Sequence, residues 1–120
     1  MFKYIANLSQ SMDLYDVSEF WKFKMRVGYV KHAEKLKRTK KLIKLLVDFG
    51  DEERTIITGI ADQYAPEELE GKKFIFVVNL KPKKFSGVES QGMLVVGEDE
   101  NEKVYILPVP DDVPMGIKVW

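Results

Sequence analysis

Every apolar run in this 120-residue chain is short and stops at a turn signal. RTIITGI (54–60) and KFIFVVNL (73–80) are β-branched or aromatic and strand-sized, which fits buried strands. GMLVVG (92–97) and KVYILPV (103–109) flank the acidic stretch EDENE and predict a hairpin. FKMRVGYV (23–30) predicts a strand bent at a bulge at Gly28. A turn falls at Gly50–Asp51. APEELEGK (65–72) reads as one short helix: Pro66 suits its first turn, Glu67 and Glu68 complement the positive end of its dipole, and Gly71 closes it. Five or six short strands with turn signals every ten residues or so predict a small all-β barrel or sandwich in one domain.

Two segments are less direct. HAEKLKRTKKLIKLLVDF (32–49) places apolar residues at 33, 36, 43, 46 and 47, close to helical spacing, and contains no Gly or Pro. Propensity favours a basic amphipathic helix; the competing reading is a basic loop entering a strand at about Leu42–Phe49. SMDLYDVSEFWKF (11–23) reads as a short helix capped by Ser11 or Asp13, with Trp21 and Phe23 burying against the core. A five-stranded oligonucleotide/oligosaccharide-binding (OB) Greek-key barrel fits this length, with residues 1–18 as a helical appendage and 19–120 as the barrel.

Composition removes most catalytic chemistry. The absence of cysteine excludes disulfides, thiol nucleophiles and Cys-based zinc sites. The one histidine, His32, lies in VKHAEKLK and reads as solvent-facing. No P-loop, G-x-G-x-x-G, nucleophile elbow or calcium loop occurs. The carboxylate pairs Glu67/Glu68 and Asp111/Asp112 fall at a helix start and a turn. The expectation is a protein that is not an enzyme and needs no metal or cofactor. No run approaches the ~18 apolar residues of a membrane span. MFKYIANLSQSMDLYD has no apolar core of a signal peptide, so a cytoplasmic location is expected.

Net charge is zero but unevenly spread. Residues 31–48 carry seven Lys or Arg against two acids, and residues 72–84 carry five lysines and no acid: +5 each. If the fold joins them, they make a face that attracts a phosphate backbone. NLKPKKFSGVESQGML (79–94) supplies groups to go with it. Lys81, Lys83 and Lys84 are cations, Asn79 and Ser90 donate and accept hydrogen bonds, and Met93 offers a soft apolar contact. Pro82, Gly87 and Gly92 are assigned to backbone geometry. Strand alternation is taken to turn Lys83 away from the other two lysines.

MRVG (25–28), VDFGDEERTIITGI (47–60), YAPEELEGKK (64–73), NLKPKK (79–84), GVESQGML (87–94) and VPMGIKV (113–119) occur in that order. Together they resemble the tRNA-binding domain found in the C-terminal region or beta subunit of methionyl-tRNA synthetase. Free-standing structure-specific tRNA-binding proteins and a synthetase-associated cytokine share that domain. The resemblance covers roughly residues 20–120. It implies an OB-fold that binds tRNA by shape and backbone, a homodimer, and a synthetase catalytic subunit as a partner. It places the RNA contacts on Arg26, Asn79, Lys81, Lys84, Ser90 and Met93, and resolves 32–49 as a basic loop entering a strand. The apolar ends MFKYIANL and IKVW are the expected dimer contributors. The chain departs from the family in EKLKRTKKL, where Lys40 stands in place of an acid, and at Ser86, where relatives often place a basic or bulky residue. A homodimeric peptide-binding chaperone of the bacterial secretion branch is the rival reading on the same barrel. That branch usually lacks the S-x-G-M pattern present at Ser90–Met93.

Overall fold

The computed structural model describes residues 12–120, so Ser11 and most of the predicted 1–18 appendage, including MFKYIANL, lie outside the described residues. In chain order the elements are α1 (Val17–Phe20), β1 (Met25–Lys35), β2 (Ile43–Asp48), β3 (Glu53–Thr58), a 3-10 turn (Pro66–Glu68), β4 (Lys73–Val77), β5 (Lys83–Phe85), β6 (Val88–Ser90), β7 (Met93–Leu94), β8 (Val96–Glu98), β9 (Val104–Ile106) and β10 (Lys118–Val119).

The long, bent β1 organises the barrel. Its first half pairs antiparallel with β4 and its second half with β2. The sheet then runs β3-β2-β1-β4-β7, with β10 added beside the start of β1. The outer strands β3 and β7 are tied together through Gln91, between β6 and β7: Gln91 N donates to Thr55 O (2.8 Å) and Thr55 N donates to Gln91 Oε1 (3.0 Å). This nearly closed, mostly β architecture is the five-stranded OB barrel predicted from the sequence.

Alternation fills the interior. Ile43, Leu45 and Val47 of β2 point inward and are fully buried, as are Phe74 and Phe76 of β4. Leu69, just beyond the 3-10 turn, is also fully buried in this core. Ala65 N donates to Glu68 Oε2 (2.8 Å), which ties down the start of that turn. Burying this apolar set is the main source of stability, at about 1.5–3 kcal/mol per large side chain.

Several expectations change. Segment 32–49 is not the helix propensity favours: the strand the resemblance implied forms as β2, while the basic loop is shorter than expected, because β1 runs on to Lys35 and pairs with β2. Ile-Lys-Leu-Leu-Val-Asp fits either period, but β2 has strand partners on both sides, which only the extended form can use. Arg38 sits at φ 66° in the connecting turn, where Leu36 N donates to Leu42 O (2.9 Å). The bulge falls between Val30 and His32, not at Gly28. Gly28 is instead a close approach: a Cβ there would lie 2.5 Å from Val47 Cγ1 and 2.8 Å from Phe49 Cε1. Trp21 and Phe23 do not enter the core; they remain 44% and 54% exposed. Helix α1 is only four residues long, so it has no face broad enough to bury them. Its N-cap position is Asp16 rather than Asp13, and no side-chain bond caps it. The 96–106 hairpin forms as predicted, with Asp99 Oδ1 accepting from Asn101 N and Lys103 N, both at 2.9 Å.

Candidate nucleic-acid interface

The chain between β4 and β7 leaves the barrel as a β5–β6 hairpin. Its two-residue loop is Ser86–Gly87, both at positive φ (49° and 81°), the combination a tight primed turn requires. That loop fixes the register: Lys83 opposes Ser90, Lys84 opposes Glu89, and Phe85 opposes Val88. Paired residues share a face, so Lys83, Phe85 and Ser90 look one way and Lys84 the other.

Between the hairpin and the outer side of β3 lies a cleft of about 280 Å³. Buried Ile57 and Ser90 form its base, Leu80, Phe85 and Met93 its apolar walls, and exposed Lys81 and Lys83 its rim. Lys44 is opposite Ile57 in the β2–β3 ladder and therefore stands on the same outer face. The fold thus sets a half-buried cation of the first basic segment next to Ile57, the residue at the base of the cleft. Other lysines are committed elsewhere. Lys31 Nζ is 2.6 Å from Glu53, a hydrogen-bonded pair that raises the lysine's pKa, and Lys73 Nζ donates to the carbonyls of Asp111 (2.8 Å) and Val113 (2.7 Å). Lys44, Lys81, Lys83 and Lys84 enter no ion pair among the described residues.

The six residues singled out in the sequence fall into two groups. Three are used inside the protein. Arg26 Nε donates to Gly116 O (2.9 Å), its Nη2 donates to Asp51 Oδ1 (2.9 Å), and its guanidinium lies over the Phe49 ring. Asn79 Oδ1 accepts from Lys24 N (2.6 Å) and its Nδ2 donates to Lys22 O (2.7 Å), which pins the segment before β1. Ser90, 4% exposed, accepts from Ile57 N (2.9 Å) and donates to Gly92 O (3.0 Å), adding to the β3–β7 closure. The other three, Lys81, Lys84 and Met93, are exposed. Lys81 and Met93 line the cleft; Lys84 does not, and Lys83 does. The expected direction of Lys83 is therefore reversed: alternation holds, but its phase is set by the Ser86–Gly87 turn. Reading the ladder outward from that turn would have found both Lys83 and Phe85.

The charged loop beyond β2 is a separate feature. Hydrogen bonding to Arg26 lowers the Asp51 pKa below the ordinary carboxylate range, and hydrogen bonding to Arg54 does the same for Glu52. These pairs anchor the β2–β3 turn and the 115–117 turn, and Arg54 Nη1 also donates to Gln91 O (3.1 Å), between the cleft residues Ser90 and Gly92. Among the described residues, no group of three or more His, Cys, Asp or Glu is placed to hold a metal ion, and no helix is long and apolar enough to cross a membrane.

A small OB barrel with a basic-rimmed apolar cleft on its strand 2–3 side defines the class: a binding module of the kind that holds oligonucleotides. The chain belongs to the tRNA-binding domain family, whose model matches residues 25–118. Domains of this family are binding modules rather than catalytic ones. The chain is similar to the methionine–tRNA ligase of Archaeoglobus fulgidus, with 49% identity over 98 residues, 82% of this chain and 15% of that protein. With the same enzyme of Methanocaldococcus jannaschii it shares 46% identity over 110 residues, 92% of this chain and 17% of that protein. It thus spans less than a fifth of the length of these relatives. Among solved structures, a methionyl-tRNA synthetase-related protein from Pyrococcus horikoshii superimposes with a TM-score of 0.90 at 77% identity, covering 91% of this chain and all of that one. The chaperone CsaA from Bacillus anthracis superimposes with a TM-score of 0.79 at 29% identity, covering 90% of this chain and all of that one.

Proposed function

We propose that this protein is a non-catalytic tRNA-binding module that serves methionyl-tRNA synthetase in the cytoplasm, as its beta subunit or as an accessory. The observation that carries the reading is the pair of exposed lysines, Lys81 and Lys83, without a carboxylate partner among the described residues, at the rim of one apolar cleft in a chain of this family. Lys81, Lys83 and Lys44 release counterions from the RNA backbone, which supplies most of the affinity and little sequence preference. Likeness to methionine–tRNA ligases supports the synthetase as partner.

The proposal includes a homodimer. Leu14, Tyr15, Val17, Phe20, Trp21 and Phe23 leave an apolar surface exposed around α1, and Trp120 stands edge-on to Trp21 with ring centroids 6.0 Å apart. A surface of this kind fits a subunit contact. Light scattering of the full chain should give twice the chain mass, and Phe23→Glu should move it toward one.

The test of RNA binding is a filter-binding titration against bulk tRNA. Binding is expected at low salt, with a slope against salt that Lys81→Gln lowers by about one ion. No affinity at low salt would end the proposal. The likeness to CsaA chaperones favours one rival, capture of unfolded polypeptide on the same barrel. Polypeptide binding that persists at roughly 0.5 M salt, where screening leaves ~3–5 Å, would favour that rival.

A further inference from the structure

We infer that the cleft admits one unpaired RNA base, stacked against Phe85 and Met93, with the flanking phosphates on Lys81 and Lys83. The inference rests on the RNA-binding reading above and names the part of the RNA that the cleft holds.

Size comes first. At about 280 Å³ the cleft lies at the bottom of the range for small-molecule sites, roughly 300–1,000 Å³, so it suits a single planar group and not a run of several. Its chemistry is the second argument. Ser90 is the polar side chain at its base, and that hydroxyl already accepts from Ile57 N and donates to Gly92 O. Ser90 thus has no donor left for a base edge, and the other polar side chains that line the cleft among the described residues are Lys81 and Lys83, whose ammonium groups are assigned to the phosphates. The cleft offers instead an aromatic ring, a thioether and aliphatic carbon, and every base has a π-face to set against them. Charge is the third. Lys83 Nζ lies over the Phe85 ring, 5.2 Å from its centroid, and no carboxylate among the described residues lines the cleft. Ring and ammonium form one platform that matches a base joined to its phosphate.

Two properties follow. A paired base is held in its stack and cannot enter, so the site selects unpaired nucleotides in loops, bulges or corners. Without edge contacts, it is indifferent to which base enters. The protein then recognises an RNA by where its chain is unpaired and tolerates any sequence there.

The experiment uses the full chain and three short RNAs: a blunt duplex, the same duplex with one bulged nucleotide, and the same with an abasic bulge. We expect the bulged duplex to bind roughly 5- to 150-fold tighter than the blunt one, the range of a single base–aromatic stack. The abasic bulge should lose that gain, and exchanging the bulged base among A, C, G and U should change affinity by less than about threefold. Phe85→Leu keeps an apolar side chain and should lose the preference for the bulge while retaining duplex affinity and its salt slope. Equal binding of bulged and blunt duplexes by a wild-type protein that still binds tRNA would overturn this inference and leave the function above standing. A wild-type protein that binds neither tRNA nor any of these RNAs would overturn both.

Discussion

Replacing Ser90 with alanine separates two roles that the sequence could not tell apart. Ser90 is 4% exposed, and its hydroxyl makes two bonds, from Ile57 N at 2.9 Å and to Gly92 O at 3.0 Å. Alanine leaves the Ile57 amide buried without an acceptor, at a cost of about 1–3 kcal/mol, and the lost donor bond adds about 0.5–1.5 kcal/mol. The total, about 1.5–4.5 kcal/mol, falls on the closure between β3 and β7. At about 2.1 cal/mol/K per residue, a domain of this size loses about 4 °C of melting temperature per kcal/mol, so Ser90→Ala should melt roughly 6–18 °C lower. Urea unfolding should show a lower midpoint with an unchanged slope. Measured well below its midpoint, the variant should bind tRNA within about twofold of wild type with the same salt dependence, since the residue presents no charge to a phosphate. A melting temperature within ~1 °C of wild type, together with a tenfold or larger loss of tRNA affinity, would refute the argument: the hydroxyl would then be a ligand contact and the barrel closed by other means.

The remaining expectations follow from the same geometry. Gly28→Ala places a Cβ 2.5 Å from Val47 Cγ1, and overpacking of this kind should lower stability by about 1–3 kcal/mol in urea titrations without changing the fold seen by circular dichroism. Lys83→Gln should lower the salt slope of tRNA binding by about one ion, and Lys84→Gln by clearly less, because only Lys83 stands at the rim of the cleft. Asp51 and Glu52 have folded pKa values lowered by Arg26 and Arg54, so their stabilising contribution is present above the ordinary carboxylate range and is lost as pH falls through the lowered values. Melting temperature should therefore fall below about pH 4, and the double variant Asp51→Asn, Glu52→Gln should show a shallower acid limb than wild type.

Much of the fold was legible because its cues are local. The strands at 54–60 and 73–80, the 96–106 hairpin and the turns at Gly50 and Gly71 rest on β-branched runs and on residues that tolerate positive φ. The hairpin at 32–49 was not legible from propensity, because its residues satisfy helical and strand periods alike and the partners of β2 decide between them. Likewise, Trp21 and Phe23 look like core residues, yet α1 is too short to turn them inward.

The site divides in the same way. The sequence by itself determined which residue types gather in 79–94, that they suit a polyanion, and that this chain has the makings of a binding barrel. It marked Gly87 as a backbone position, but the Ser86–Gly87 turn that sets the hairpin register, and with it the side Lys83 faces, was read only from the structure. Only the tertiary structure decided which of those groups remain free to bind. Arg26, Asn79 and Ser90 each bond at least one partner 33 to 90 residues away in the chain: Gly116, Lys22 with Lys24, and Ile57. A hydrogen-bonding group can serve a ligand only if the fold leaves it unsatisfied, and that depends on which distant segments meet when the barrel closes.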